Sequence, residues 1–82
     1  MGLMSDKLVI NGIYRHYKGN LYKLHLIGKH SETLEDLVIY ECLYHNPEGA
    51  IWVRPLKMFT EMVLVNGKSL PRFEYIGDQA NS

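Results

Sequence analysis

The chain has 82 residues, of which 46% are hydrophobic and 22% are charged, and its nine basic and nine acidic residues leave no net charge at pH 7. This length leaves room for one domain, and the composition predicts a globular fold rather than a disordered one. The balanced charge argues against a protein that coats itself in nucleic acid, and the single cysteine, Cys42, excludes an internal disulfide and a cysteine zinc cluster.

Short β-type runs alternate with turn signals along the chain, at roughly the 8–12-residue spacing of a small all-β domain. Gly19-Asn20 and Asn66-Gly67 are hairpin signals, because glycine accepts the positive φ that tight turns require. Residues 46–49 suit a type I turn, with a proline that presets φ and a closing glycine. The predicted strands are 13–17, 21–27, 37–44, 50–54, 61–65 and 69–76.

Two segments interrupt the strand pattern. Residues 30–36 predict a loop with at most one helical turn, since a threonine followed three residues later by an aspartate fits a capping box. Residues 55–59 predict a single 3₁₀ turn. The whole pattern predicts an all-β fold, a small SH3-like barrel of five to six short antiparallel strands, with an open OB-like barrel as the alternative. The predicted domain organisation is an N-terminal extension (1–11), the barrel (12–76) and a flexible tail (77–82).

The fourth predicted strand contains an unusual pair of side chains. Alternation puts Ile51 and Val53 on one face and Trp52 and Arg54 on the other. An aromatic plane beside a guanidinium can stack on a nucleobase or grip a proline or a cation, which favours a recognition surface. The alternative is a tryptophan that closes one end of the barrel while Arg54 pairs with an acidic residue such as Glu41.

The chain is rich in aromatic residues, with six tyrosines, two phenylalanines and one tryptophan. Several of them must fill the core, because a small barrel has few other residues large enough to do so. We expect Tyr14 and His16 of the first strand to face outward with Trp52 and Arg54. The aliphatic residues expected in the core are Leu24, Leu26, Val38, Ile51, Val53 and Val63.

The third predicted strand is apolar on both faces, which is unusual for a strand at the surface of a monomer. Charge is also uneven, since residues 1–30 carry five basic residues and one acidic residue, whereas residues 31–50 carry five acidic residues and no lysine or arginine. Both features predict a homodimer in which a second copy covers some of Leu37, Ile39 and Leu43. The alternative is that bending of the barrel buries both faces within one chain.

Three motifs carry a resemblance to a known family. Residues 12–19 read Gly-Ile-Tyr-Arg-His-Tyr-Lys-Gly, residues 30–35 read His-Ser-Glu-Thr-Leu-Glu, and residues 52–59 contain Trp-Val-Arg-Pro followed by Met-Phe. Together they resemble a family of small bacterial proteins catalogued as a domain of unknown function, number sixteen fifty-three in its series. The resemblance extends from residue 12 to about residue 76. It implies a small bacterial cytoplasmic domain and supplies no mechanism.

Metal and catalytic motifs are weak. The four histidines are too scattered for a zinc pattern, so neither a metal nor a cofactor is predicted. The run His30-Ser31-Glu32-Thr33 has the residue types of a hydrolase, but neighbours in one loop rarely converge as a triad, and they more often cap a turn. The basic stretch 15–18, with Lys23 and Lys29, resembles single-stranded nucleic-acid binders, although the zero net charge disfavours that function.

The function predicted from the sequence is a non-catalytic binding module for a peptide, a nucleotide or a protein ligand. One alternative is a small enzyme, or an accessory domain of one, that uses His30, Glu32 and Arg54; a second is a single-stranded nucleic-acid binder. The single cysteine fits a reducing cytoplasm, and apolar runs far shorter than about 18 residues predict no membrane partner. The candidate ligand-binding residues are Tyr14, His16, His30, Glu32, Trp52 and Arg54.

Overall fold

A computed structural model describes residues 8–78, which form seven strands and one short helix. The all-β prediction is therefore confirmed, and no helix in this range is long and apolar enough to cross a membrane. The strands are β1 (Ile13–His16), β2 (Leu21–Lys29), β3 (Asp36–Cys42), β4 (Ile51–Pro55), β5 (Met62–Val65), β6 (Lys68–Pro71) and β7 (Phe73–Gly77), and the helix α1 is Leu56–Phe59.

Five of the strands form one antiparallel sheet in the order β4-β3-β2-β1-β7, and β5 and β6 form a separate hairpin. Because β4 and β7 are the two edges of the larger sheet, the sheets of residues 8–78 do not close into a barrel. The SH3-like barrel is thus not confirmed. The strand count exceeds the predicted five to six because segment 69–76 divides at Arg72, where Pro71 ends the pairing with β5 and Phe73 begins the pairing with β1.

The sheet has an inner face, which carries the core, and an outer face. The helix α1 lies over the inner face of the sheet. Its Phe59 side chain packs against the buried side chains of that face. The rings of Phe59 and Phe73 are parallel, with centroids 4.1 Å apart. The core cluster consists of Tyr14, Leu24, Val38, Tyr40, Phe59 and Phe73, with Leu8, Tyr22, Ile27, Trp52 and Leu56 packed against it.

A β-bulge in β2 changes which leucine is buried. The pairing with β3 runs from Leu24↔Tyr40 to Leu26↔Ile39, so one extra residue, His25, is accommodated in β2. An extra residue in one strand reverses the alternation beyond it. Leu24 is therefore 0% exposed on the inner face, whereas Leu26 is 51% exposed on the outer face. The prediction that Leu26 belongs to the core is wrong for this reason.

Three further burial predictions are wrong. Tyr14 was expected to face outward, but it is only 3% exposed, and its hydroxyl accepts a hydrogen bond from the Val9 amide at 2.9 Å. Ile51 and Val53 were expected in the core, but they lie on the outer face and are 55% and 57% exposed. The alternation within β4 is as predicted. The covered face is the one with Trp52 and Arg54, and not the one with Ile51 and Val53, because α1 packs over the inner face.

The predicted turns are found with two differences. Asn66 and Gly67 both have positive φ, 51° and 81°, and form the expected two-residue turn between β5 and β6. The Gly19-Asn20 signal belongs to a longer connection, since β1 ends at His16 and β2 begins at Leu21. The expected 3₁₀ turn is instead the single α-helical turn α1, which ends where the Thr60 amide and hydroxyl both donate to the Leu56 carbonyl.

The ends of the chain fall only partly within the described residues. Of the predicted N-terminal extension, residues 1–7 lie outside that range, whereas Leu8 packs on the core and the Asn11 amide donates to the Leu24 carbonyl at 2.7 Å. Of the predicted tail, residues 79–82 lie outside the range, and Gly77 pairs with Ile13 at the end of β7.

Candidate functional site

The inner face carries a cavity of about 190 Å³ beside the core. Its position follows from strand register, since Trp52 of β4 lies opposite Tyr40 of β3, and Arg54 lies opposite Val38. Side chains on opposed residues of neighbouring strands share a face and contact each other. We call it the Trp52–Arg54 cavity, and its lining consists of Tyr22, Tyr40, Cys42, Tyr44, Asn46, Trp52 and Arg54.

Arg54 supplies the positive charge of the cavity. Its Nε donates a hydrogen bond to the Tyr40 hydroxyl at 3.3 Å, and its guanidinium carbon lies 5.7 Å from the centroid of the Phe73 ring. Among residues 8–78 the salt bridges are Arg15–Glu74, His25–Glu41, Lys29–Asp36 and Arg72–Glu61, so no carboxylate in this range pairs with Arg54.

The predicted Arg54–Glu41 pair is not formed, because Glu41 lies on the outer face and bonds His25 at 2.6 Å. Within the described part of the chain, the guanidinium therefore contacts the Tyr40 hydroxyl and the Phe73 ring and has no carboxylate partner.

Trp52 forms an apolar wall. Its side chain is half-buried and packs against the core cluster. Its indole Nε1 donates to the Gly49 carbonyl at 3.0 Å, within the turn between β3 and β4, whose Gly49 amide bonds the Asn46 carbonyl at 3.0 Å. Because that nitrogen is the only donor of an indole, the part of Trp52 that lines the cavity is purely apolar.

Two tyrosines and an asparagine form the polar wall. The hydroxyls of Tyr22 and Tyr44 are 3.1 Å apart, and the Asn46 side-chain amide donates to the Tyr44 hydroxyl at 3.5 Å. Burial, followed by the hydrogen bond in which the neutral Tyr22 phenol donates to Tyr44, raises the pKa of Tyr22 to about 12. Both effects keep the Tyr22 phenol neutral, so this wall presents hydroxyl groups and no negative charge at neutral pH.

His16 lies next to the cavity, on the neighbouring part of the inner face. Its ring centroid is 4.9 Å from that of Phe73 and 6.3 Å from that of Tyr22. Burial, and then the charges of Arg54, Arg72 and Lys18, lower the pKa of His16 below its ordinary value of 6.5. Its Nδ1 accepts the Lys18 amide at 3.1 Å, so the neutral ring carries its proton on Nε2.

The other predicted site residues lie elsewhere. His30 and Glu32 occupy the exposed turn between β2 and β3, where the His30 Nδ1 accepts the Glu32 amide at 3.1 Å and the Thr33 amide at 3.3 Å. Neither lines the cavity that holds Arg54. Tyr14 is part of the core. The structure therefore brings together Trp52 and Arg54, with His16 beside them.

The residues that sequence reasoning did not assign to the site are Tyr22, Tyr40, Cys42, Tyr44 and Asn46. A signal for most of them was present: alternation in the third strand puts Tyr40, Cys42 and Tyr44 on one face. Combining it with the turn at 46–49 would have aligned that face with Trp52 and Arg54. Phe73, over which Arg54 lies, carries no such signal, because β7 reaches the site only through its pairing with β1.

The described part of the chain offers no obvious metal or nucleophilic centre. Within residues 8–78, no group of three His, Cys, Asp or Glu side chains is placed to hold a metal ion. Cys42 is a buried free thiol that accepts a weak hydrogen bond from the Asn46 amide, with nitrogen and sulfur 3.7 Å apart. The lining contains neither a carboxylate nor a histidine that would act as a base toward that thiol.

Comparisons with known proteins bear out the resemblance in the three motifs. Residues 12–75 match the family model described as "Protein of unknown function (DUF1653)". The chain is also similar to a solved structure, described as the crystal structure of a DUF1653 protein from Bordetella bronchiseptica. The identity is 31%, the match covers 94% of this chain and 97% of that chain, and the TM-score is 0.85. No curated protein matches the chain.

Proposed function

This chain belongs to the DUF1653 family, and we propose that it is a non-catalytic binding module whose ligand occupies the Trp52–Arg54 cavity. One observation carries the proposal: a guanidinium held by Tyr40 and Phe73, without a carboxylate partner among residues 8–78, borders a cavity with aromatic walls. Oriented arginine and aromatic side chains in a partly desolvated site are characteristic of binding hot spots.

The walls of the cavity support binding rather than catalysis. Its polar groups are phenols, an amide, a thiol and a guanidinium, and a general base is missing from the lining. The alternative enzyme would need His30 and Glu32 near Arg54, yet His30 is engaged with the backbone of its own turn. A cytoplasmic location, which we also propose, would keep the buried free thiol of Cys42 reduced.

The nucleic-acid alternative receives less support from the described residues. Arg15 pairs with Glu74, and Lys29 pairs with Asp36 at 2.8 Å, so part of the basic stretch is neutralised within the chain. Lys18 lies over the ring of Tyr17, with its Nζ 5.8 Å from the ring centroid. Neither residue lines the cavity. A single-strand binder needs a continuous basic groove with stacking rings.

A fragment screen by nuclear magnetic resonance tests the proposal. A library of small neutral, cationic and anionic fragments is added to the ¹⁵N-labelled full chain, and amide and indole shifts are followed. We expect binding fragments to shift Trp52 Nε1 and the amides of Tyr22, Tyr44 and Asn46 more than those of the outer-face residue Val53. Arg54→Gln should weaken the hits about tenfold or more, whereas Arg15→Gln, a matched surface change, should leave them unchanged.

The same spectra report whether each variant is folded, so a loss of binding is not confused with unfolding. The proposal fails if no fragment shifts the cavity residues selectively. It also fails if Arg54→Gln, folded like the parent, binds the hits as well as the parent does.

A further inference from the structure

The donors and charges of the cavity also specify the ligand, and we infer that its anchoring group is a single carboxylate carried on a small apolar or aromatic group. This inference rests on the proposed function, because it concerns the ligand of the same cavity. It covers two sources of one chemistry, a free monocarboxylic acid and the C-terminal residue of a peptide.

The free edge of Arg54 favours a planar acceptor. A guanidinium has five N–H donors, of which the one on Nε is directed to the Tyr40 hydroxyl. No other hydrogen bond of Arg54 is formed within residues 8–78, so its two Nη groups remain available. Two parallel N–H groups match the two oxygens of a carboxylate. The guanidinium also lies within cation–π distance of the Phe73 ring, 5.7 Å from its centroid.

The charge around the cavity favours one negative charge. Arg72, the other guanidinium that lowers the pKa of His16, is paired with the carboxylate of Glu61, its Nε donating at 2.9 Å. His16 is neutral at pH 7, so Arg54 is the one uncompensated cation in the lining. A carboxylate balances that single charge. A phosphate monoester, with about −1.5 to −2 charges at pH 7, would bring unpaired negative charge into a partly desolvated site.

The polar wall offers the anion one more donor. In the Tyr22–Tyr44 pair one hydroxyl donates to the other, and the Asn46 amide already donates to Tyr44. The hydrogen bond between the two hydroxyls uses only one of their two protons. The other proton is therefore free to be donated to a ligand. Trp52 adds an apolar surface, since its only donor is bonded to Gly49. A carboxylate bearing a ring or an aliphatic chain would accept a hydrogen bond from the polar wall and pack its apolar group on Trp52.

The size of the cavity limits the ligand to one such group. Its volume of about 190 Å³ lies below the roughly 300–1,000 Å³ of sites that enclose a whole drug-sized ligand. We therefore expect the cavity to accept one acid-bearing group, and the rest of a larger ligand to extend outside.

Four matched probes test the inference: benzoate, benzamide, phenyl phosphate and N-acetyl-phenylalanine. Each is titrated into the full chain at pH 7, and binding is followed by the fluorescence of Trp52, the only tryptophan, and by its Nε1 resonance. We expect benzoate to bind at least about tenfold more tightly than uncharged benzamide and than doubly charged phenyl phosphate. N-acetyl-phenylalanine should exceed benzoate if the source is a peptide C-terminus, and fall below it if the source is a free acid.

Substitutions of Arg54 test whether the carboxylate is recognised by the planar guanidinium or by positive charge alone. Arg54→Lys keeps the charge but removes the planar fork, and it should lose about tenfold of benzoate affinity, while Arg54→Gln should abolish binding. Arg15→Lys is the control and should behave like the parent. Equal or tighter binding of phenyl phosphate or benzamide, still dependent on Arg54, overturns the carboxylate inference and leaves the proposed binding module standing.

The remaining outcomes are equally decisive. If none of the four probes shifts the cavity, the carboxylate inference is wrong, and the fragment screen decides separately whether the cavity binds anything. If Arg54→Lys, folded as judged by its spectrum, binds benzoate as well as the parent does, charge alone suffices and the planar-fork argument is overturned.

Discussion

The two faces of the sheet at β3 and β4 differ both in the residues that they carry and in how far those residues are covered. On the inner face, Tyr40 and Trp52 are cross-strand neighbours that pack on the core and border a cavity. On the outer face, Ile39 and Val53 are cross-strand neighbours, and Val53 is exposed. The aliphatic pair thus lies on the solvent-exposed outer face, and the aromatic pair on the covered inner face. Burial here is decided by which face α1 and β7 cover, and hydrophobicity along one strand does not decide it.

The exposed outer face bears on the predicted homodimer. Leu37 and Ile39 are half-buried in the single chain and Leu43 is exposed, so each would gain from being covered. That a second copy covers them stays a prediction. Light scattering at micromolar concentration measures it, and a mass near 9.5 kDa, that of one chain, would contradict it.

The largest expected difference between the faces is at two leucines of β2. Leu24→Ala should lower the free energy of unfolding by about 2–5 kcal/mol, because it empties a fully buried position. Leu26→Ala, two residues away and beyond the bulge, should change it by no more than about 0.5 kcal/mol. Urea unfolding of both variants beside the parent measures the difference. Equal losses would show that the bulge does not separate the two faces.

A smaller difference is expected at the neighbours Trp52 and Ile51. Trp52→Ala should cost about 1–3 kcal/mol, less than the roughly 3–5 kcal/mol of a fully buried tryptophan, because the side chain is only half-buried. Ile51→Ala, on the outer face, should stay within about 0.5 kcal/mol. Trp52→Phe keeps most of the ring but loses the bond to Gly49 and should cost about 0.5–1.5 kcal/mol.

Urea unfolding of the Trp52 and Ile51 variants beside the parent measures these differences. An unchanged stability in Trp52→Ala would mean that the ring serves only a ligand, and a loss as large as that of Leu24→Ala would make it a core residue.

The pH dependence of stability should carry a contribution from His16 on the inner face. Its folded-state pKa lies below the ordinary 6.5, so between those two values the unfolded chain binds more protons than the folded one. Stability is then lost as the pH falls below about 6.5, and the loss levels off below the folded-state pKa. We expect the parent to lose more unfolding free energy between about pH 7.5 and pH 5 than His16→Asn, which keeps an acceptor for the Lys18 amide. Identical losses in the two proteins would rule out this role for His16.

The last expected difference is the alkaline titration of Tyr22. Its pKa of about 12 exceeds the ordinary 10.0, so above about pH 10 the unfolded chain releases a proton that the folded chain keeps, and stability falls as the pH rises toward 12. Ultraviolet absorbance of the folded protein should show a phenol that titrates near 12 and is missing in Tyr22→Phe. The control Tyr17→Phe, outside the cavity lining, should retain it. If the phenol lost in Tyr22→Phe is instead one that titrates near the ordinary 10.0, the Tyr22 hydroxyl lies in open solvent and the prediction is wrong.

Local chemistry in the sequence determined much of this protein. Alternation put Trp52 and Arg54 on one face, the Asn66-Gly67 pair specified its hairpin turn, and short strands separated by turns specified an all-β domain. The three motifs identified the family. The family follows from resemblance, whereas the three structural features follow from side-chain direction or backbone freedom within a few residues, so no distant contact was needed to predict them.

Only the tertiary structure decided which face of each strand is covered, and with it the site. The bulge at His25 exchanged the roles of Leu24 and Leu26, and the division at Arg72 gave β7 to the sheet of β1. That division brought Phe73 beneath Arg54, while α1 buried Tyr14 and left Val53 in solvent. Contacts between residues far apart in the chain depend on register and on how loops close, and neither is encoded in the alternation of a single strand.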